Sequence, residues 1–268
     1  MSIPKGRRRR RRRINLRKAL FVLPNLFTLS SIFCGFFALI TIFHDAPGAV
    51  YRAALAVFFA IFFDGTDGRI ARLTHTQSGF GVQLDSLADV ISFGVAPAII
   101  VYRWALEPMG TLGIVMAFVF VACGALRLAR FNVSAQEEDL DHVSTHFTGL
   151  PIPIAAGTLI SAILCSESNL LTWHTHPTLV TIGLVLLGYL MVSTMPYRTY
   201  KNIRADKAGF SFFFAILAGF SALAILASPS LAMFAFLGTY VILGLTMGIV
   251  QKIKRLSQAP GTTPTQAP

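Results

Sequence analysis

Charged residues are scarce in this sequence of 268 residues. Asp, Glu, Lys and Arg together make up 13% of it, against roughly 25% in soluble domains. Hydrophobic residues make up 54%. This balance excludes an ordinary soluble domain and predicts a chain that lies in a lipid bilayer.

Cysteine is also rare. Cys34, Cys123 and Cys165 each lie inside an apolar run, and their spacing is not that of metal ligands. We therefore predict small hydrophobic side chains at these positions, with neither a disulfide nor a thiolate metal site.

Long apolar runs recur along the chain, and most approach the ~20 residues that cross ~30 Å of hydrocarbon as a helix. The runs are 20–43, 49–63, 84–105, 110–130, 149–166, 177–195, 210–228 and 231–250. They are separated by short loops, without a repeat of fixed period. We predict an all-α integral membrane protein with eight spans, in three parts: a basic N-terminal segment (1–19), a transmembrane domain (20–250) and a disordered tail (251–268).

Basic residues set the expected orientation. With a cytoplasmic N-terminus and eight alternating spans, all but two of the 23 Lys and Arg residues fall on the cytoplasmic side; the exceptions are Arg52 and Arg103. Both termini are thus predicted to be cytoplasmic. The net charge of +11 could indicate nucleic-acid binding, but arginines crowded beside a first span favour contacts with anionic lipid headgroups. We predict no nucleic-acid partner.

One segment interrupts the apolar pattern with four aspartates: DGTDGRIARLTHTQSGFGVQLDSLAD, from Asp64 to Asp89. Carboxylates at membrane depth are costly unless they pair, bind a cation or line a watery cavity. Helical spacing puts Asp64 and Asp67 on one face, and the i, i+4 spacing does the same for Asp85 and Asp89. Two helix ends joined by a polar turn would aim all four carboxylates at one point.

Four carboxylates cannot remain ionised together without positive charge, so we predict one or two divalent cations. Oxygen ligands without a nearby His or Cys ligand favour Mg²⁺ or Mn²⁺ over zinc. Gly68 and Ala71 let a ligand approach the helix closely, and Arg72 can bind a phosphate. The alternative is a salt-bridge cluster with Arg69 and Arg72, but two arginines do not balance four carboxylates.

The spacing D-x-x-D-G-x-x-A-R-x8-G-x3-D-x3-D resembles the signature of the CDP-alcohol phosphatidyltransferases in every fixed position. It is formed here by Asp64, Asp67, Gly68, Ala71, Arg72, Gly81, Asp85 and Asp89. The resemblance implies a core of six transmembrane helices, followed here by two C-terminal spans, and an enzyme that displaces CMP from a CDP-linked lipid with an alcohol. The domain at 20–250 would then be catalytic.

The resemblance also implies residue roles. Asp64, Asp67, Asp85 and Asp89 would bind the metals, and Asp89 would in addition act as general base. The CDP group would be bound by Asp67, Gly68, Ala71, Arg72 and Gly81.

Further segments, among them PNLFTLSSIFCGF (24–36) and GALRLARFN (124–132), look like bacterial and archaeal phosphatidylserine synthases. This likeness implies CDP-diacylglycerol and L-serine as substrates, and a cytoplasmic active site in the inner membrane of a prokaryote. Arg127, Arg130 and Asn132 would hold the serine carboxylate or the lipid phosphate; alternatively, the two arginines are ordinary cytoplasmic anchors.

Two other functions stay open. The acceptor could be glycerol 3-phosphate or an inositol phosphate, although a phosphorylated acceptor needs a more basic pocket than two arginines provide. A cation transporter could also use the aspartates, but it has no use for the fixed Gly, Ala and Arg positions. Members of the family are often dimeric, so a homodimer is a further option, without a residue in this chain that fixes an interface.

Overall fold

The fold is known from a computed structural model that describes residues 16–44, 46–74, 76, 78–141, 149–168, 175–193, 219 and 228–257. Within these ranges all regular secondary structure is helical. The α-helices are α1 (Leu16–Ile42), α2 (Ala49–Leu73), α3 (Gly79–Asp89), α4 (Ala96–Val101), α5 (Thr111–Asp141), α6 (Ile152–Glu167), α7 (Pro177–Val192) and α8 (Pro229–Ser257). The prediction of an all-α membrane protein is confirmed.

Among the described residues, five helical stretches are long and apolar enough to cross a membrane. They are Val22–Ile42, Ala49–Leu73, Gly79–Met109, Thr111–Ser134 and Pro229–Thr246. α6 and α7 are apolar but shorter, at 16 residues each. These seven elements coincide with seven of the predicted runs, whereas the run at 210–228 lies outside the described residues except for residues 219 and 228. The number of eight spans stays a prediction.

Several helices extend beyond the apolar runs. α5 continues to Asp141 and α8 to Ser257, whereas composition alone predicts ends at 130 and 250. A helix forms its backbone hydrogen bonds internally, so it can continue into water after the hydrocarbon ends. The segments before residue 16 and after residue 257 lie outside the described residues.

The third membrane stretch is not a uniform α-helix. Between α3 and α4 lies a π-helical segment, Val90–Val95, and a second one, Tyr102–Leu106, follows α4. The first segment packs tightly on α1: a Cβ added to Gly35 would lie 2.9 Å from the Ser92 Cα. Short π-helical segments are frequent at functional sites, and this one begins directly after Asp89.

One face of α1 is buried, and it is built mostly from small or polar residues. Its members are spaced four and three residues apart in turn: Pro24, Thr28, Ser31, Gly35, Ala38 and Ile42. This face packs along α2, whose buried residues are mostly alanine. Small residues let membrane helices approach closely. Asp67 continues the buried face of α2, so the packing of α1 on α2 also determines what surrounds this carboxylate.

Candidate active site

The aspartate motif folds as two helices joined by a short turn. α2 ends at Leu73, and α3 begins at Gly79 with Ser78 as its N-cap, whose Oγ accepts a hydrogen bond from the Gly81 N–H at 3.0 Å. An N-cap hydroxyl satisfies a backbone donor that the first helical turn cannot. Residues of α2 and α3 on the two sides of this turn line one cleft, as the sequence predicts. His75, which follows α2 in the sequence and need not be a metal ligand, lies outside the described residues.

Three of the four aspartates converge. Asp64, Asp67 and Asp85 each offer an oxygen, and these oxygens all lie within 4.8 Å of one another. Asp67 is 5% exposed, whereas Asp64 and Asp85 are half-buried. Three converging carboxylates repel one another in the absence of a cation, and hard oxygen donors are the ligands of Mg²⁺ and Mn²⁺. The donor set therefore fits a divalent cation.

Asp89 lies beside this triad but is not one of its members. It is 8% exposed, and its Oδ1 has no hydrogen-bond partner among the described residues. Its carboxylate interacts electrostatically with Asp64, with Asp85 and with the guanidinium of Arg127 on α5. A buried carboxylate oxygen without a partner calls for an explanation. A substrate proton is one candidate, which agrees with the role of base; its predicted role as a metal ligand stays a prediction.

A cleft of about 300 Å³ opens next to the triad. It is lined by every residue predicted to bind the CDP group: Asp67, Gly68, Ala71, Arg72 and Gly81. Its volume is at the lower end of the range of ligand pockets, roughly 300–1,000 Å³. The cleft joins a cationic side chain to carboxylates that could hold a metal ion, an arrangement suited to a diphosphate.

The glycine at position 68 has no packing role that the structure reveals. A Cβ added there would meet no atom of the other described residues within 4 Å beyond the backbone of its own helix, although the residue lines the cleft. Gly81 differs, because its Cβ would lie 3.2 Å from Ser78 Oγ. The space in front of Gly68 is therefore available to a ligand.

The three predicted acceptor residues separate in the structure. Arg127 is 8% exposed, faces Asp89 and has an Nε without a hydrogen-bond partner among the described residues. Arg130 is exposed and donates to the Val192 carbonyl at the end of α7, at 2.9 Å. Asn132 is hydrogen-bonded to Ser86 on α3. Of the three, only Arg127 lies close to a carboxylate of the motif, and it forms no direct salt bridge with a described residue.

The salt-bridge alternative receives no support. Among the residues that the structure describes, neither Arg69 nor Arg72 forms an ion pair with an aspartate of the motif. Arg69 is exposed and does not line the cleft. Among the described residues, Arg127 is thus the one cation that compensates the charge of an aspartate of the motif, through its electrostatic interaction with Asp89.

Sequence reasoning assigned no role to α1, yet α1 contributes to the site. Pro24, Asn25 and Thr28 line the cleft, and Thr28 is hydrogen-bonded to Asp67. These residues belong to the segment 24–36. Its likeness to phosphatidylserine synthases was part of the sequence analysis, but it did not indicate which residues take part in the site. One signal in the sequence could have indicated this role. Thr28 and Ser31 are two polar residues within an apolar span, and their spacing puts them on one face of the helix.

Comparison with known proteins agrees with this geometry. A CDP-diacylglycerol--serine O-phosphatidyltransferase of Helicobacter pylori is 37% identical over 88% of this chain and 94% of its own length. The enzyme of the same name from Bacillus subtilis is 32% identical over 69% of this chain and 94% of its own length. An archaetidylserine synthase of Methanothermobacter thermautotrophicus is 33% identical over 71% of this chain and 75% of its own length.

The profile of the family described as CDP-alcohol phosphatidyltransferase matches residues 21–248, which include every residue that lines the cleft or forms the triad. With this match, the chain belongs to the CDP-alcohol phosphatidyltransferase family.

Proposed function

We propose that this enzyme transfers the phosphatidyl group of CDP-diacylglycerol to the hydroxyl of L-serine, giving phosphatidylserine and CMP. The observation that carries the proposal is the spatial arrangement of the site. A cleft that contains Arg72 adjoins three converging carboxylates, and these lie next to the buried side chains of Asp89 and Arg127. The names of the relatives support serine as the acceptor.

Asp64, Asp67 and Asp85 would hold Mg²⁺ or Mn²⁺, as one ion or two. When bound, the metal neutralises charge on the diphosphate and stabilises the departing CMP. Arg72 binds a phosphate of the CDP group, and Gly68 leaves room for it. These residues orient the donor so that the phosphorus carrying diacylglycerol faces Asp89.

Asp89 accepts the proton of the serine hydroxyl while the hydroxyl oxygen bonds to that phosphorus. The bond from phosphorus to the oxygen that bridges it to CMP breaks, and CMP leaves with the electron pair. A buried base without a protein hydrogen-bond partner on Oδ1 is free to receive this proton.

Arg127 supports serine over phosphorylated acceptors. Serine carries its carboxylate only three bonds from its hydroxyl oxygen, so a molecule whose hydroxyl meets Asp89 can present its carboxylate to Arg127. One guanidinium balances one carboxylate. A phosphorylated acceptor would need a second cation to balance its second negative charge. Arg130 is the other candidate, but its guanidinium donates a hydrogen bond to the Val192 carbonyl.

We also assign the active site and both termini to the cytoplasmic side. The support is the distribution of basic residues, of which only Arg52 and Arg103 fall on the other side in the eight-span topology. Serine and metal ions would then reach the site from the cytoplasm.

The test is an assay of CMP release by purified protein with CDP-diacylglycerol and one acceptor at a time: serine, glycerol 3-phosphate or an inositol phosphate. CMP should form with serine, cease with EDTA and return with Mg²⁺ or Mn²⁺. If CMP were released only with a phosphorylated acceptor, that acceptor would replace serine in the proposal. A cation transporter would release no CMP with any acceptor.

A further inference from the structure

Thr28 on α1 is joined to Asp67 on α2 across the helix interface. Its Oγ1 lies 2.7 Å from Asp67 Oδ2, and both residues are buried, at 4% and 5% exposure. A distance of 2.7 Å is that of a charge-assisted hydrogen bond between a hydroxyl donor and a carboxylate. Asp67 is at the same time one of the three triad residues.

The hydroxyl of Thr28 has a local alternative that it does not favour. The Pro24 carbonyl, one turn earlier, lies 3.2 Å from Oγ1. Other helical threonines do use this local acceptor: Thr158 on α6 donates to Ile154 O at 2.8 Å. A hydroxyl has one hydrogen to donate, and the shorter distance assigns it to Asp67.

From this geometry we infer that Thr28 is a positioning residue for the metal site: its hydroxyl fixes the orientation of the Asp67 carboxylate and leaves the remaining lone pairs of that carboxylate to the cation. A partner that hydrogen-bonds a metal-binding carboxylate restricts its rotation, and removal of such a partner typically weakens metal binding about 10- to 100-fold. The inference rests on the metal site of the proposed function.

The position of Thr28 gives this role a structural basis. It lies on the buried face of α1, between Pro24 and Ser31, where α1 packs along α2. The bond therefore couples the metal ligand to a different helix from the one that carries it. α1 contributes in this way to a site whose four aspartates all lie on other helices.

The experiment measures Mn²⁺ binding by the full-length protein in detergent, without substrate, from the electron paramagnetic resonance signal of free Mn²⁺. Thr28→Val keeps the shape of the side chain and removes the hydroxyl, so its Kd for Mn²⁺ should rise about tenfold or more. Thr28→Ser restores a hydroxyl and should return the Kd close to the wild-type value. Thr158→Val is the matched control, because it removes the same hydroxyl from a purely local bond.

Wild-type affinity in Thr28→Val would overturn the inference and leave the metal site intact. Weak binding in both Thr28→Val and Thr28→Ser would also overturn it, because the effect would then come from packing. If Thr28→Val does not fold, Thr28→Ala answers the same question with a smaller side chain. If the wild type did not bind Mn²⁺, the proposed metal site would be refuted, and the inference with it.

Discussion

Asn132 on α5 and Ser86 on α3 are held together by hydrogen bonding: Asn132 Nδ2 donates to Ser86 Oγ at 3.0 Å, and Oδ1 of the same amide lies 3.3 Å from that oxygen. Ser86 directly follows the triad residue Asp85. The pair therefore connects α5 to the part of α3 that carries a carboxylate of the triad. Asn132 can influence the reaction through Ser86 without touching the acceptor.

Asn132→Ala and Ser86→Ala should each lower the free energy of unfolding by about 1 kcal/mol, because each removes the same hydrogen bond. The double variant should lose little more than either single variant, since the two residues act as a unit. Thermal unfolding in detergent measures this cycle. An increase in the KM for serine in Asn132→Ala but not in Ser86→Ala would instead indicate direct contact with the acceptor.

Gly68→Ala separates ligand binding from stability. The new methyl group would meet no atom of another described part of the chain within 4 Å, and alanine favours a helix over glycine by roughly 1 kcal/mol. Stability should therefore hold or rise, while the KM for CDP-diacylglycerol rises because the methyl group enters the cleft.

Gly65→Ala is the matched control for this prediction. It lies one turn earlier on α2, its added Cβ also meets nothing, and it does not line the cleft. It should gain the same helix stability with an unchanged KM. Equal KM values in the two variants would show that the space at Gly68 is not used by the donor.

The convergence of Asp64, Asp67 and Asp85 could be predicted from the sequence, because helical periodicity is set by backbone hydrogen bonds within one segment. The position of Asp89 beside this triad, rather than within it, could not be predicted in this way. The contribution of Thr28 could not be predicted either. Its partner Asp67 is 39 residues away, and the pairing depends on how α1 packs on α2. The π-helical segment after Asp89 was missed for a similar reason, since an apolar run of this kind has no local signal that distinguishes π-helical from α-helical turns.

Arg127 and Arg130 show where spacing is insufficient. Residues three apart share a helix face, so the sequence groups them. In the structure, however, Arg127 is buried beside Asp89, and Arg130 reaches the end of α7. Long side chains on one face can serve different neighbours, and only tertiary packing selects between them.

This difference leads to a prediction for the acceptor. Arg127→Gln removes the proposed charge-assisted contact with the serine carboxylate, worth roughly 1.5–3 kcal/mol, so the KM for serine should rise about tenfold or more. Arg130→Gln loses its bond to the Val192 carbonyl, so its main effect should be a lower Tm. Initial rates against serine concentration and thermal unfolding distinguish the two variants. A larger effect of Arg130→Gln on the KM would reverse the assignment.

The proposed topology can be tested at the two ends of α2. This helix has 25 residues, about 37 Å at 1.5 Å per residue, so its ends emerge on opposite sides of the ~30 Å hydrocarbon layer. Ala46, in the turn before α2, and Leu73, at its end, are both exposed. In a variant without the native cysteines, Ala46→Cys should react with a membrane-impermeant maleimide in intact cells, and Leu73→Cys only after permeabilisation. The opposite pattern would invert the topology.

The last prediction concerns the proton. Asp89→Asn keeps the shape of a buried side chain and one of its oxygens, but removes an efficient base. The loss should appear in kcat, about 10²- to 10⁴-fold, with little change in the affinity for CDP-diacylglycerol, because Asp89 does not line the cleft. Arg72→Ala should chiefly weaken binding of the nucleotide lipid, since Arg72 does line it. Titrations of CDP-diacylglycerol binding and initial rates at saturating serine measure both effects. A near wild-type kcat in Asp89→Asn would transfer the role of base to another carboxylate, and Asp85, one helical turn earlier, would be the first to test.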